Sequence, residues 1–104
     1  MKTKRAMACD IPRRVKEAVW ERDNGYCIVC GDPHAMPNAH YISRAHGGLG
    51  TEENIVTLCM QCHDRYDNGT GEDRRIIGEI IRKHLQACYI DWCDEKIKYR
   101  KGKK

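Results

Sequence analysis

The 104-residue chain has no phenylalanine, only three prolines, and no apolar run near the ~20 residues needed to cross a bilayer. The last absence argues against a membrane-spanning helix. The first leaves little bulky carbon for a core, and only 40% of residues are hydrophobic against 33% charged. A chain of this size buries roughly 60–68% of its unfolded surface, so a thin core in need of a brace is expected. Residues 1–16 are basic but have no apolar segment behind them, which is not the pattern of a secretory signal. The expected setting is therefore the reducing cytoplasm, where clustered cysteines serve as metal ligands rather than disulfides. The seven cysteines, an odd number, also fit full pairing poorly.

The net charge of +4 is unevenly placed. Residues 1–26 carry a balance of +3, residues 27–71 a balance of −3, and residues 72–104 a balance of +4. A slightly acidic, Cys/His-rich middle between two basic ends suits a cation site flanked by contacts to a polyphosphate backbone. A basic run such as Lys96–Lys104 is equally the composition of a solubilising end.

Periodicity divides the chain. Residues 1–9 read as a disordered basic N-terminus. From Asp10 to Asp23, Ile11, Val15, Ala18 and Val19 form one helical stripe, stopped by Asn24-Gly25. Trp20 is expected to pack on the body of the domain. His40-Tyr41-Ile42 and Ile55-Val56-Thr57-Leu58 are the strand candidates, separated by a loop rich in glycine. Helix resumes at Met60–Tyr66. The strongest helical pattern is the last, where Ile77, Ile80, Ile81, His84, Leu85, Cys88, Trp92 and Ile97 share a stripe. The expected organisation is a domain over residues 10–71, a C-terminal helix over 72–97 packed on it, and a basic tail over 98–104. The same helix is the candidate surface for a homodimer.

The sharpest chemical signal is Cys27-x2-Cys30 followed by Cys59-x2-Cys62. Two intervening residues let a knuckle aim both thiolates at one point, and two knuckles supply the four soft ligands of tetrahedral zinc. With all four positions filled by protein, the zinc is structural rather than catalytic. A redox pair of CxxC motifs and an iron–sulfur cluster are the competing readings. Of the remaining cysteines, Cys88 falls on the helical stripe as a core residue, and Cys9 falls in an exposed tail.

Between and beyond the knuckles run Ala39-His40-Tyr41-Ile42-Ser43-Arg44-Ala45-His46-Gly47-Gly48 and Thr51 to His63. With Trp20-Glu21-Arg22-Asp23 upstream, this pattern resembles the HNH endonuclease family over about residues 12–67. His40 takes the place of the first histidine, Asn54 that of the asparagine, and His63 that of the last histidine. The resemblance implies a small α+β domain, a ββα-metal unit stapled by the four-cysteine zinc, with an N-terminal helix before it and a long C-terminal helix after it. It implies hydrolysis of DNA phosphodiester bonds with magnesium or manganese. Chemistry agrees. A neutral imidazole at His40 can act as general base, and Asn54 can orient it or lend an oxygen to the cation. His63 can bind the cation, with Asp67 four residues on as a further ligand or partner. Arg44, Arg65, Arg74 and Arg75 are candidate phosphate contacts.

One departure stands out. Many family members place His, Asp or Glu just before the base histidine as a metal ligand, and this chain has Ala39 there. Hydrated magnesium can be held by one or two protein groups plus substrate oxygens, so a site remains feasible. The departure also motivates an alternative, a non-catalytic zinc-stabilised nucleic-acid-binding module for DNA or, less favoured, structured RNA.

Overall fold

The structure, a computed structural model, describes residues 2–100. The described elements run α1 (Lys4–Cys9), α2 (Arg13–Arg22), β1 (Ala35–His40), β2 (Ile55–Cys59), α3 (Met60–Asn68) and α4 (Gly71–Cys88), with short 3-10 turns at Arg44–His46 and Asp94–Ile97. The expected α+β class and the ββα order are present.

The two strands pair antiparallel, with Ala35 opposite Cys59, Met36 opposite Leu58, Ala39 opposite Val56 and His40 opposite Ile55. The register slips between Met36 and Ala39, where Pro37 brings no N–H to a ladder. Every residue of β2 is buried, because helices cover both faces. Ile55 packs with Val15 and Val19 of α2. Val56 and Leu58 join Ile77, Ile81 and Leu85 of α4 in the main core, together with Cys27, Cys59 and Cys62. The apolar stripe of α4 is thus consumed within its own chain, and the homodimer surface expected of it is not supported.

Helix starts follow local chemistry. α4 opens on a capping box in which Thr70 accepts from the Asp73 N–H and Asp73 accepts from the Thr70 N–H. Gly78, a poor helix former, has its reason in space. A Cβ there would meet the Tyr66 ring at 3.3 Å, and Tyr66 uses that closeness to donate its hydroxyl to the Tyr41 carbonyl at 2.7 Å.

Several expectations need correction. Residues 4–9 form α1 rather than a disordered start, because Thr3 caps the helix and the Gly50 N–H bonds the Ala8 carbonyl. Cys9 is accordingly buried, not exposed. α4 ends at Cys88 instead of continuing to 97, which leaves Cys88 exposed rather than in the core. Past that point Trp92 donates Nε1–H to the Glu53 carbonyl at 2.6 Å and tilts against Tyr41, drawing the chain off the helix axis. The first strand lies at 35–40 rather than 40–42. Trp20 is 42% exposed, covering Gly25 only in part. The tail begins as structure, since the Tyr99 N–H bonds the Gly47 carbonyl at 2.7 Å. Residues 101–104 of the expected tail lie outside the described residues.

A buried ionic junction locks α2 to the sheet and α4. The Asp23 side chain is fully buried and accepts from Arg22, from His84 at 2.8 Å and from the Thr57 N–H at 3.0 Å. Burial alone would raise this carboxyl, but His84, Arg22 and the Thr57 amide outweigh it and hold it far below the usual carboxylate range. Removing one partner of such a junction strands the others in a dry site. Asp23→Ala is expected to lose about 3–5 kcal/mol in urea unfolding with metal present. Glu17→Gln, which breaks only the exposed pair with Arg13, should leave the midpoint unchanged. Equal effects would contradict the junction's role.

Candidate active site and metal centre

The metal centre is built from two turns that the sheet brings together. The first knuckle is stitched to β2 by the Ile28 N–H on the Thr57 carbonyl at 3.0 Å, and it closes through the Gly31 N–H on the Cys27 carbonyl. Gly31 takes φ of +81°, a left-handed conformation that glycine adopts freely. The second knuckle is the β2–α3 junction, where Cys59 caps α3 and its sulfur accepts from the Cys62 N–H at 3.4 Å.

The four sulfurs of Cys27, Cys30, Cys59 and Cys62 lie within 4.8 Å of one another. The Cys30 and Cys59 sulfurs are 3.6 Å apart, close to the roughly 3.8 Å edge of a tetrahedron with metal–sulfur bonds of ~2.3 Å. The donor set and its size fit one tetrahedral ion. Burial alone would push the Cys27 thiol up, but backbone N–H groups of Cys59, Cys30 and Val29 bring it down to about 7. Cys27 is thereby the thiol nearest its metal-binding thiolate form, whereas burial and the neighbouring sulfurs push the Cys62 thiol up.

A second site opens beside it as a cleft of about 600 Å³ lined by His40, His63, Asp67, Arg44, Lys16 and Asn38, among others. β1 delivers His40, α3 delivers His63 and Asp67, and the turn after β1 delivers Arg44. The His40 ring bonds the Cys9 carbonyl through Nε2 at 2.8 Å. A carbonyl only accepts, so Nε2 carries the hydrogen and Nδ1 holds the lone pair. Burial, chiefly, lowers the His40 pKa below its ordinary value. Arg44 and His63 add to this, against the Cys9 carbonyl and Asp67. His40 is therefore neutral at physiological pH.

His63 Nε2 and Asp67 Oδ2 meet at 3.0 Å one helical turn apart. Two adjacent ligand atoms at ~2.1 Å on an octahedral cation sit about 3.0 Å from each other. The two groups are bonded to each other as an i,i+4 pair, at a spacing that could also hold a divalent ion. Among the described residues, only the cysteine quartet gathers three or more such groups.

Asn54 does something other than the cation binding suggested by its place in the motif. It is fully buried. Its Oδ1 accepts from the Ile42 N–H at 2.8 Å, and its Nδ2 donates to the carbonyls of Ile42 and Leu49. Its backbone carbonyl takes the Tyr41 N–H at 2.8 Å. Asn54 clasps the loop that leaves His40, so its hold on the imidazole acts through the chain. The glycine pair serves the same clasp. A Cβ on Gly48 would lie 1.6 Å from the Ile42 carbonyl oxygen and 2.8 Å from Asn54 Nδ2. Gly47, at φ +81°, ends the 3-10 turn that carries Arg44.

Ala39 is fully buried among core residues, on the strand face opposite His40. Position 39 supplies no ligand. Asn38 shares the face of His40 and reaches the cleft, a role hidden in a sequence whose first strand is expected to begin only at residue 40. Of the expected phosphate contacts, only Arg44 lines the cleft. Arg65 is tied to Asp73 and Arg75 to Glu72, both at 3.0 Å on the surface, and Arg74 is exposed on α4.

A ββα unit braced at a four-cysteine cluster, with a polar cleft between strand and helix, defines a nuclease-type fold. Residues 27–69 match the HNH endonucleases. Anaredoxin from Nostoc sp. (strain PCC 7120 / SAG 25.82 / UTEX 2576) is 31% identical over 58 residues, spanning 55% of this chain and 76% of that protein. The chain belongs to the HNH endonuclease family. In solved structures, the Type IV phosphorothioation-dependent restriction endonuclease ScoMcrA matches with a TM-score of 0.57 at 21% identity. That match covers 74% of this chain but only 20% of ScoMcrA, and it shows a shared fold.

Stripping the metal tests the brace. A structural ion of this kind supplies about 10–16 kcal/mol of apparent folding free energy. Chelation is expected to abolish cooperative thermal unfolding and most helical circular dichroism, with recovery when metal returns. A chelated chain that unfolds with its original midpoint would contradict this.

Proposed function

We propose that the protein is a metal-dependent endonuclease or nicking enzyme acting on DNA, with zinc in the four-cysteine site. The observation that supports it is the cleft in which a neutral His40, its lone pair at Nδ1, shares a wall with the His63–Asp67 pair and Arg44. Zinc suits four thiolates at tetrahedral spacing with no open position. Nothing in that coordination offers a place for substrate, so its part is to hold α3 against β2.

The reaction needs a base, a placed phosphate and neutralised charge. His40 takes the proton of the attacking water at Nδ1. The Cys9 carbonyl keeps the ring in the required tautomer and holds it still. Arg44, itself anchored by the Cys9 carbonyl at 2.9 Å and Asp10 at 2.7 Å, presents a fixed guanidinium to the phosphodiester. Lys16 adds a second cation on the α2 side. Magnesium or manganese held by His63 and Asp67 supplies Lewis-acid stabilisation of the phosphate charge when bound. These contacts read the backbone and leave base selection open.

The buried face at Ala39 supports a second reading. With no ligand from that position, the cation rests on two protein groups, and the domain would then bind DNA through zinc-braced, basic surfaces without cutting it.

Plasmid relaxation separates the two readings. The zinc-loaded chain with magnesium or manganese is expected to nick supercoiled DNA, and His40→Ala to lose at least ~100-fold while still binding it. Because His40 must be neutral to act and its pKa is lowered, the acid-side loss of activity should lie below the ordinary histidine value of ~6.5 rather than at it. Cleavage equal in the variant, or absent from both across a metal series, would overturn the catalytic reading. Salt-sensitive binding without scission would favour the second.

A further inference from the structure

We infer that the small pocket between α1 and the Arg44–His46 turn is a second phosphate site, taking the backbone phosphate next to the one in the main cleft. The inference rests on the nuclease reading and adds the direction in which the DNA strand leaves the cleft.

The pocket has a volume of about 260 Å³ and is lined by Thr3, Arg5, Ala6, Cys9, Arg44 and Ala45. No carboxylate lines it. Ligand clefts for whole small molecules run from ~300 to 1,000 Å³, so this one suits a phosphate group rather than a complete nucleotide. Arg44 and Ala45 line both this pocket and the main cleft. One guanidinium thus forms the shared wall, and the Cys9 carbonyl that orients His40 also receives Arg44. Successive phosphates follow one another closely along a strand, each advancing ~3.4 Å along the axis, so adjoining pockets with a common arginine can be served by one strand.

Arg5 is the residue without another function. It donates one N–H, from Nη2, to the Ala45 carbonyl at 2.8 Å. A guanidinium carries five N–H donors, so four remain for an anion. Arg44 spends one hydrogen on Cys9 and one on Asp10, which leaves three. α1 has no acidic residue, and the nearest following acid, Asp10, is engaged by Lys2 and Arg44. Two planar forks around a small cavity free of acids are the donor set that suits a phosphodiester. The α1 contribution also gives the N-terminal helix a purpose beyond placing the Cys9 carbonyl. It carries Arg5 to the pocket that adjoins the cleft across Arg44.

Salt dependence of DNA binding tests this without any need for cleavage. The full zinc-loaded chain, without magnesium, would be titrated into a labelled duplex between about 50 and 200 mM salt. Arg5→Ala is expected to flatten the slope of log affinity against log salt by about 0.9, one phosphate's worth. Arg5→Lys should restore most of the slope, which also shows that the position tolerates change without unfolding. Lys83→Ala, exposed on α4, should leave it as in wild type. An unchanged slope in Arg5→Ala overturns the pocket while leaving the nuclease reading intact. Equal flattening by Arg5→Ala and Lys83→Ala also overturns it, since any lost charge would then do the same. A wild-type chain with no salt-sensitive affinity for DNA would remove the nuclease reading and the pocket with it.

Discussion

The convergence of four cysteine sulfurs is the constraint on which the remainder of this structure depends. The chain is short of large apolar side chains, and its sheet has only two strands. One ion gripped from both sides would close a long loop and fix the β2–α3 corner in one stroke. Cys62 sits in the first turn of α3, with His63 beside it and Asp67 a turn beyond. Holding the sulfur inward therefore aims the imidazole and carboxylate outward. The metal centre and the cleft are two sides of the same helical turn, and disorder in one would be felt at once in the other.

The cleft itself is organised by hydrogen bonds to backbone more than by contacts among its polar side chains. His40 is set by the Cys9 carbonyl, Arg44 by the same carbonyl, and the loop between them and β2 by Asn54. Each of these anchors is buried or half-buried, where an unmade hydrogen bond is costly. That cost keeps the imidazole in one tautomer and the guanidinium in one place before any ligand arrives. The fixed groups resemble a preorganised hydrolytic site, in which little reorientation remains to be done during reaction. The uneven charge along the chain now has a spatial meaning. The acidic middle segment supplies Asp67 to the pair with His63, and the basic N-terminal segment supplies Lys16 to the same cleft and Arg5 to the pocket that adjoins it.

Much of this was legible in the amino-acid order because the signals were local. A CxxC knuckle, the i,i+4 spacing of His63 and Asp67, and the apolar stripe through Ile77, Ile81 and Leu85 depend on a few neighbouring residues. All three appear in the structure as expected. What escaped depended on distant partners. α1 is short and has no apolar stripe of its own, and its order comes from the glycine loop some forty residues away. The end of α4 is set by Trp92 reaching Glu53, with no glycine or proline to announce it. Asn54 occupies the motif position of a functional group, yet its burial and its three side-chain hydrogen bonds make it a clasp. Ala39 read as a missing ligand, but strand alternation with His40 turns it into the core, so its small size fits packing against Val56 and α4.

The coordination of the bound ion is the measurement closest to the centre of this account. X-ray absorption on the purified full chain should find one zinc per protein with four sulfur neighbours at ~2.3 Å and no nitrogen or oxygen in the shell. A shell of mixed nitrogen and sulfur, or a folded chain with no stoichiometric metal, would contradict it.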